Sequence, residues 1–216
     1  MKTLVIVAHQ DDEALSCGCL IVDRVLRGHE VHVLTIYGRV YDYGRVSVTH
    51  SVDEQTVAFD EAKSILGYHH AQTGNLKEGE PGQVGYYHAL ELIESSLKGF
   101  TPSEIVIPSF HDLNQDHVFL NHACRIALRA GNLPRGPVRV LEAFAFDRTT
   151  THPNWFLSHS DKTLERKLDA VAAYKTEVRP YPHPRSAIKI RAQHEVWGGM
   201  CGTALAEGYK LVLERN

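Results

Sequence analysis

Residues 1–37 constrain the fold more than any other stretch. Thr3–Ala8 is a continuous, largely β-branched apolar run, the mark of a strand buried on both faces. Residues 13–27 then carry apolar side chains at helical spacing (Leu15, Cys19, Leu20, Val22, Val25, Leu26) and stop at Gly28, a suitable C-cap. Glu30–Tyr37 (EVHVLTIY) reads as a second strand. Strand, helix, strand in so short a span is the unit of a parallel sheet with a right-handed crossover.

The alternation continues. A polar loop is expected from Gly38 to about His50, a helix over 52–66 closed by Gly67, a glycine-rich loop over 71–85 and a helix over Tyr86–Leu97. Glu104–Pro108 (EIVIP) is a short buried strand, followed by the polar loop Ser109–Asp116, a helix over His117–Ala130 and a strand over Val138–Phe146. A loop over 147–160 leads to a helix from Ser160 to Tyr174, a turn through Pro180, Pro182 and Pro184, a helix near 186–201 and a last strand, Tyr209–Leu213. Such an order predicts a three-layer α/β fold with a mostly parallel sheet. No repeat or low-complexity linker divides the 216 residues, so one domain over 1–216 is expected.

Composition narrows the function. With 23 basic against 26 acidic residues the net charge is −3, and no basic surplus argues for nucleic acid. No run approaches the ~20 apolar residues of a membrane span, and the N-terminal apolar run is too short for a signal peptide. Cys17, Cys19, Cys124 and Cys201 lack paired zinc-finger spacing and read as small buried hydrophobes in a reducing cytoplasm. The 14 histidines are the unusual count, and they direct attention to metal chemistry.

In open parallel sheets ligands bind beyond the carboxyl ends of the strands. Two polar clusters fall there: His9-Gln10-Asp11-Asp12-Glu13 after the first strand, and His111-Asp112-Leu113-Asn114-Gln115-Asp116-His117 after Glu104–Pro108. The first turn lacks the Gly-x-Gly-x-x-Gly of a dinucleotide site, and its carboxylates would repel phosphate. They suit a cation. Catalytic zinc takes three His or carboxylate ligands and leaves a position for water. His9 and Asp12 can converge on one ion, His117 can complete the set with Asp116 beside it, and Asp11 is then free to act as a base. Each residue also has a plainer reading. Asp12 could cap the helix, with Glu13 favouring its dipole; His9 could be a hydrogen-bonded histidine; and His117 could lie on the surface. Three such residues at two strand ends favour the metal.

Ala8-His9-Gln10-Asp11-Asp12-Glu13 resembles the AHPDDE motif of the LmbE-like (PIG-L) family of zinc-dependent N-acetylglucosamine deacetylases. Asp112-Leu113-Asn114-Gln115-Asp116-His117 resembles its second motif. His183-Pro184-Arg185-Ser186 and the tail Gly198-x3-Gly202-x3-Ala206-Glu207-x-Tyr209 are similar to its C-terminal segment. The resemblance implies a Rossmann-like fold, Zn2+ on His9, Asp12 and His117, Asp11 as general base, and a small N-acetylated sugar or glycoconjugate as substrate. Relatives commonly assemble, so a homo-oligomer is a further expectation. The sequence departs from the family at Gln10, which replaces proline, at Asn114, which stands where many members carry histidine, and at Trp197, where arginine is expected before Gly198.

The implied reaction is hydrolysis of an N-acetyl amide by metal-bound water. Asn114 is a candidate oxyanion donor through its amide. Asp116 is expected to orient a neighbouring polar group, His183 or His194 to deliver a proton, and Arg185 to contact substrate. Arg39, with Tyr37, Tyr41, Tyr43 and Arg45 after the second strand, could line a sugar. His69-His70 reads as exposed loop. The rival reading is a non-catalytic sugar or nucleotide-sugar binding module that keeps the fold and metal. Asn114 and Trp197 favour it, and the intact Asp11 speaks against it.

Overall fold

β1 (Lys2–Val7) lies inside the sheet because both of its faces are apolar. Successive strand side chains point to opposite sides. Leu4 and Ile6 therefore enter one core cluster and Val5 and Val7 the other, all nearly inaccessible to solvent. The computed structural model describes residues 1–38, 52–76, 83–144 and 152–216. Along the chain follow α1 (Asp12–Leu26), β2 (Glu30–Tyr37), α2 (Val52–Leu66), β3 (His70–Leu76), α3 (Gln83–Phe100), β4 (Glu104–Pro108) and α4 (Gln115–Ala127). Then come β5 (Val138–Ala143), β6 (Trp155–Ser158), α5 (Asp161–Ala173), α6 (Ala187–Cys201) and β7 (Ala206–Arg215).

Seven strands among the described residues form one sheet in the order β3-β2-β1-β4-β5-β7-β6. The first five run parallel, and β7 runs antiparallel to both β5 and β6. Apolar side chains of α1, α2 and α5 pack on one face, those of α3 and α4 on the other, giving the expected three layers. After β1 the chain winds outward through β2 and β3, then returns to β4 on the other side. The strand order thus reverses between β1 and β4, a topological switch point, and both polar clusters follow those two strands.

Two strands fall where loops were expected. β3 (His70–Leu76) takes up the first part of the loop expected over 71–85, and its His70 pairs with His32 of β2. Its sequence, HAQTGNL, has no β-branched run, and Gly74 is there for packing: a Cβ would meet the Ile36 carbonyl oxygen at 2.5 Å. β6, the four residues WFLS, lies inside the expected loop 147–160 and pairs with β7. β7 itself is longer than expected, reaching Ala206 and Arg215. α3 and α4 begin before their expected starts, at Gln83 and Gln115. Cys17, Cys19 and Cys124 are buried, but Cys201 ends α6 exposed, correcting its reading as a buried residue.

Candidate metal centre

His9 follows β1 and Asp12 opens α1, and a tight turn joins them. The Asp12 carboxylate accepts the His9 backbone N–H at 2.9 Å, and the His9 carbonyl accepts the Asp12 N–H at 3.3 Å. Asp11 occupies the N-cap position with φ 142°, a left-handed conformation costing a non-glycine residue about 1–3 kcal/mol. Its side chain does not cap the helix. Its backbone N–H donates to Glu13 Oε2 at 3.1 Å, and Glu13 Oε1 accepts the Tyr174 hydroxyl at 2.5 Å. Burial lifts the Glu13 carboxyl to about 8 despite that hydroxyl. Arg185 Nη1 donates to Asp11 Oδ2 at 3.2 Å and to Glu177 Oε2 at 2.8 Å.

The loop after β4 delivers the second half. Asn114 is the N-cap of α4, its side-chain oxygen accepting the Asp116 N–H at 2.9 Å. Asp112 Oδ1 accepts the Asn114 N–H at 2.7 Å, and Asp112 Oδ2 lies 2.8 Å from His117 Nδ1. These bonds aim His117 across the switch point at the first turn.

Three donors converge there. His9 Nδ1 lies 3.3 Å from Asp12 Oδ2, His117 Nε2 lies 3.1 Å from the same oxygen, and the two imidazole nitrogens are 3.3 Å apart. Tetrahedral zinc, with bonds of about 2.0–2.1 Å, sets neighbouring donors about 3.3 Å apart. The residues fit such an ion without rearrangement. The far nitrogen of each ring meets a carboxylate: His9 Nε2 lies 3.0 Å from Asp116 and His117 Nδ1 lies against Asp112. That contact fixes which nitrogen keeps its lone pair for the metal.

Electrostatics agree. Burial alone would lower both imidazole pKa values, but Asp116 and Asp12 hold His9 up at about 9, and Asp12 and Asp112 hold His117 at about 10. Burial pushes Asp12 the other way, yet the charge of His117 and its bonds to both histidines keep its carboxyl well below the usual range. The carboxylates favour positive charge in this pocket, and a metal ion binds by displacing the imidazole protons.

The structure thus brings together His9, Asp12 and His117, with Asp11 and Asp116 beside them and Arg185 on Asp11. Asn114 is half-buried at the rim. His183 is exposed in the turn before α6, and its Nδ1 accepts the Arg185 N–H at 3.1 Å. His194 lies elsewhere, against His159 and Trp197. Trp197 is buried with Phe144, Phe156 and Ala206. Gln10 is buried with its amide 3.4 Å from the Thr73 hydroxyl. Arg39, Tyr41, Tyr43 and Arg45 lie outside the described residues, and Tyr37 is fully buried, stacked 5.6 Å from His9. Sequence reasoning missed what Asp112, Glu13, Tyr174 and Glu177 do. Asp112 and Glu13 lie within the two clusters, whereas nothing in the sequence connects Tyr174 or Glu177 to them.

A doubly wound α/β sheet thus carries a His–Asp–His cluster at its switch point, a candidate metal centre. The sequence model of PIG-L, described as GlcNAc-PI de-N-acetylase, matches residues 4–128. The chain belongs to this LmbE-like family. No curated protein matches it. Among solved structures it is similar to N,N'-diacetylchitobiose deacetylase from Pyrococcus horikoshii, at 17% identity over 98% of this chain and 83% of that one, TM-score 0.74. It is also similar to the zinc-inhibited form of teicoplanin deacetylase Orf2, at 16% identity over 100% and 99%, TM-score 0.76. A third is GalB, the 4-carboxy-2-hydroxymuconate hydratase from Pseudomonas putida KT2440, at 19% identity over 100% and 98%, TM-score 0.75. At these identities the likeness is one of fold.

Proposed function

We propose that this chain is a zinc-dependent N-deacetylase, acting as one domain on the N-acetyl group of an amino sugar or glycoconjugate. The observation that carries the reading is the spacing of the His9, Asp12 and His117 donors, 3.1–3.3 Å from one another, with a carboxylate behind each imidazole. Three nitrogen and oxygen donors in tetrahedral spacing suit zinc, and histidines disfavour magnesium. When bound, the ion lowers the pKa of water to about 7 and polarises an acyl oxygen. The substrate class rests on the family description and on the two deacetylases of similar fold.

The chain's own residues supply the rest. Asp11, adjacent to Asp12 but not part of the donor triangle, takes the proton of the attacking water. Arg185 and Glu13 hold its carboxylate and backbone in place, so Arg185 acts on the base before it can act on substrate. Asn114, whose oxygen is committed to capping α4, offers its NH2 end to the oxyanion. His183 in its neutral form accepts the Arg185 N–H at Nδ1; as the imidazolium, formed with loss of that bond, it is the candidate proton donor to the departing amine. Asp116 and Asp112 orient the imidazoles. The free cysteines accord with a reducing cytoplasm, and no helix among the described residues is long and apolar enough to cross a membrane.

The test is acetate release from N-acetylglucosamine, its glycosides and chitobiose, with and without a chelator. Zinc is added stoichiometrically, because Orf2 is described in a zinc-inhibited form. Chelator-sensitive release supports the reading. Tight sugar binding with no release by the zinc-loaded chain would replace it with the binding module.

A further inference from the structure

Away from the switch point, α1, the turn before α5, and α6 bring three other ligating side chains together. Cys19, His159 and His194 each place a donor atom within 4.8 Å of the other two. Cys19 and His194 are buried and His159 is half-buried, so a single imidazole gives access from solvent. We propose that these residues form a second cation site, for a thiophilic d10 ion, Zn2+ or Cu+.

The local chemistry is that of a ligand set. His159 Nδ1 lies 3.2 Å from the Ser160 carbonyl oxygen, so that nitrogen carries the proton and Nε2 presents its lone pair inward. Backing of one ring nitrogen by a backbone carbonyl is the usual support of a ligating histidine. His159 Nε2 lies 2.7 Å from His194 Nδ1, where one proton joins the rings when no cation is bound. Burial keeps both imidazoles below their ordinary pKa, hence neutral at pH 7, the form that ligates. A tetrahedral ion would need the two nitrogens to part to about 3.3 Å. The Cys19 sulfur lies 3.9 Å from the Thr163 carbonyl, and burial raises its thiol well above the usual value. To ligate, the Cys19 thiol gives up its proton and the shared proton moves from His194 Nδ1 to Nε2, so binding releases one proton per chain.

The surroundings weigh on the charge. Lys167 Nζ and Glu207 form a buried pair at 2.7 Å, and Glu207 also accepts the Cys19 and Leu20 N–H groups. That pair is neutral overall. One thiolate and two neutral imidazoles balance Cu+ fully and leave one positive charge with Zn2+, which costs more in a buried pocket beside an ammonium. Thiolate ligands favour both ions over harder ones.

The experiment uses the full chain, reduced and metal-free, in two arms. Co2+ stands in for zinc: the His9–Asp12–His117 centre has no sulfur, so in a Cys201→Ser background that removes the exposed thiol, a near-ultraviolet sulfur-to-cobalt charge-transfer band reports the Cys19 site. Cu+ is titrated anaerobically against a competing chelator. The expected result is that band, or one tightly held Cu+, lost in Cys19→Ser and weakened at least tenfold in His159→Gln. The half-buried His159 keeps the test valid if Cys19→Ser misfolds. Band without Cu+ retention assigns zinc, and Cu+ retention without a band assigns copper. No band and no Cu+ retention, or a band or Cu+ retention that persists in Cys19→Ser, overturns the proposal. Failure of the deacetylase reading would instead remove acetate release and leave the sulfur band untouched.

Discussion

At the scale of single residues, the site turns on how Asp11 is held. Its backbone is strained at φ 142°, and Glu13 and Arg185 take up its N–H and one carboxylate oxygen. Asparagine tolerates positive φ and keeps the shape, so Asp11→Asn should lower kcat/KM by about 10²–10⁴-fold while bound zinc, counted by elemental analysis, stays unchanged. Asp112 and Asp116 touch no ligand position but fix the imidazoles. Asp112→Ala should therefore weaken zinc affinity by about 10–100-fold in a chelator competition. Undiminished affinity would mean that the ring orientation is set by packing alone. The two motifs were legible in the sequence because ligands, base and orienting carboxylates lie within a few residues of strand ends. Tyr174 was not legible. It reaches Glu13 across 161 positions, and only the packing of α5 beside α1 brings it there.

At the scale of elements, α1 shows how a local break is stabilised. Cys17 sits at φ −144°, ψ 20°, outside helical values, so the helix is broken there. Just past the break the Glu207 carboxylate from β7 accepts the Cys19 N–H at 3.2 Å and the Leu20 N–H at 2.8 Å, and so caps the second half of the helix. Lys167 balances its charge, its stem crossing α1 where Gly18 leaves room; a Cβ there would meet Lys167 Cγ at 2.8 Å. Glu207→Gln leaves the buried ammonium uncompensated and should cost about 3–5 kcal/mol in denaturant unfolding. Gly74→Ala should cost about 1–3 kcal/mol by pushing β3 from β2, since the obstacle is backbone that cannot swing aside. A neutral result there would show that the β3 edge adjusts freely. The sequence pattern missed β3 for the same reason: a strand that needs glycine for close approach and carries polar residues at the sheet edge looks like a loop.

At the scale of the whole molecule, the donors come from segments 108 residues apart, so binding the ion closes the native arrangement and not the unfolded chain. Metal at one hundred times its Kd should add about 2.7 kcal/mol. For a chain of this size that is a rise in Tm of roughly 5–10 °C. In a Cys19→Ser background, which leaves only this centre, His117→Ala should abolish the rise in calorimetry; a rise that survives would place the stabilising ion elsewhere. By itself the sequence determined the alternation of strands and helices apart from β3 and β6, the burial of β1 on both faces and the two polar turns that carry His9, Asp12 and His117. Hydrophobic period and turn chemistry are local properties, and those features need nothing more. Tertiary structure decided the rest: the strand order that sets β1 beside β4, the 3.1–3.3 Å spacing of the donors, the grip of Arg185 on Asp11, and the meeting of Cys19 with His159 and His194. Those depend on how distant segments pack, and no window of neighbouring residues carries that information.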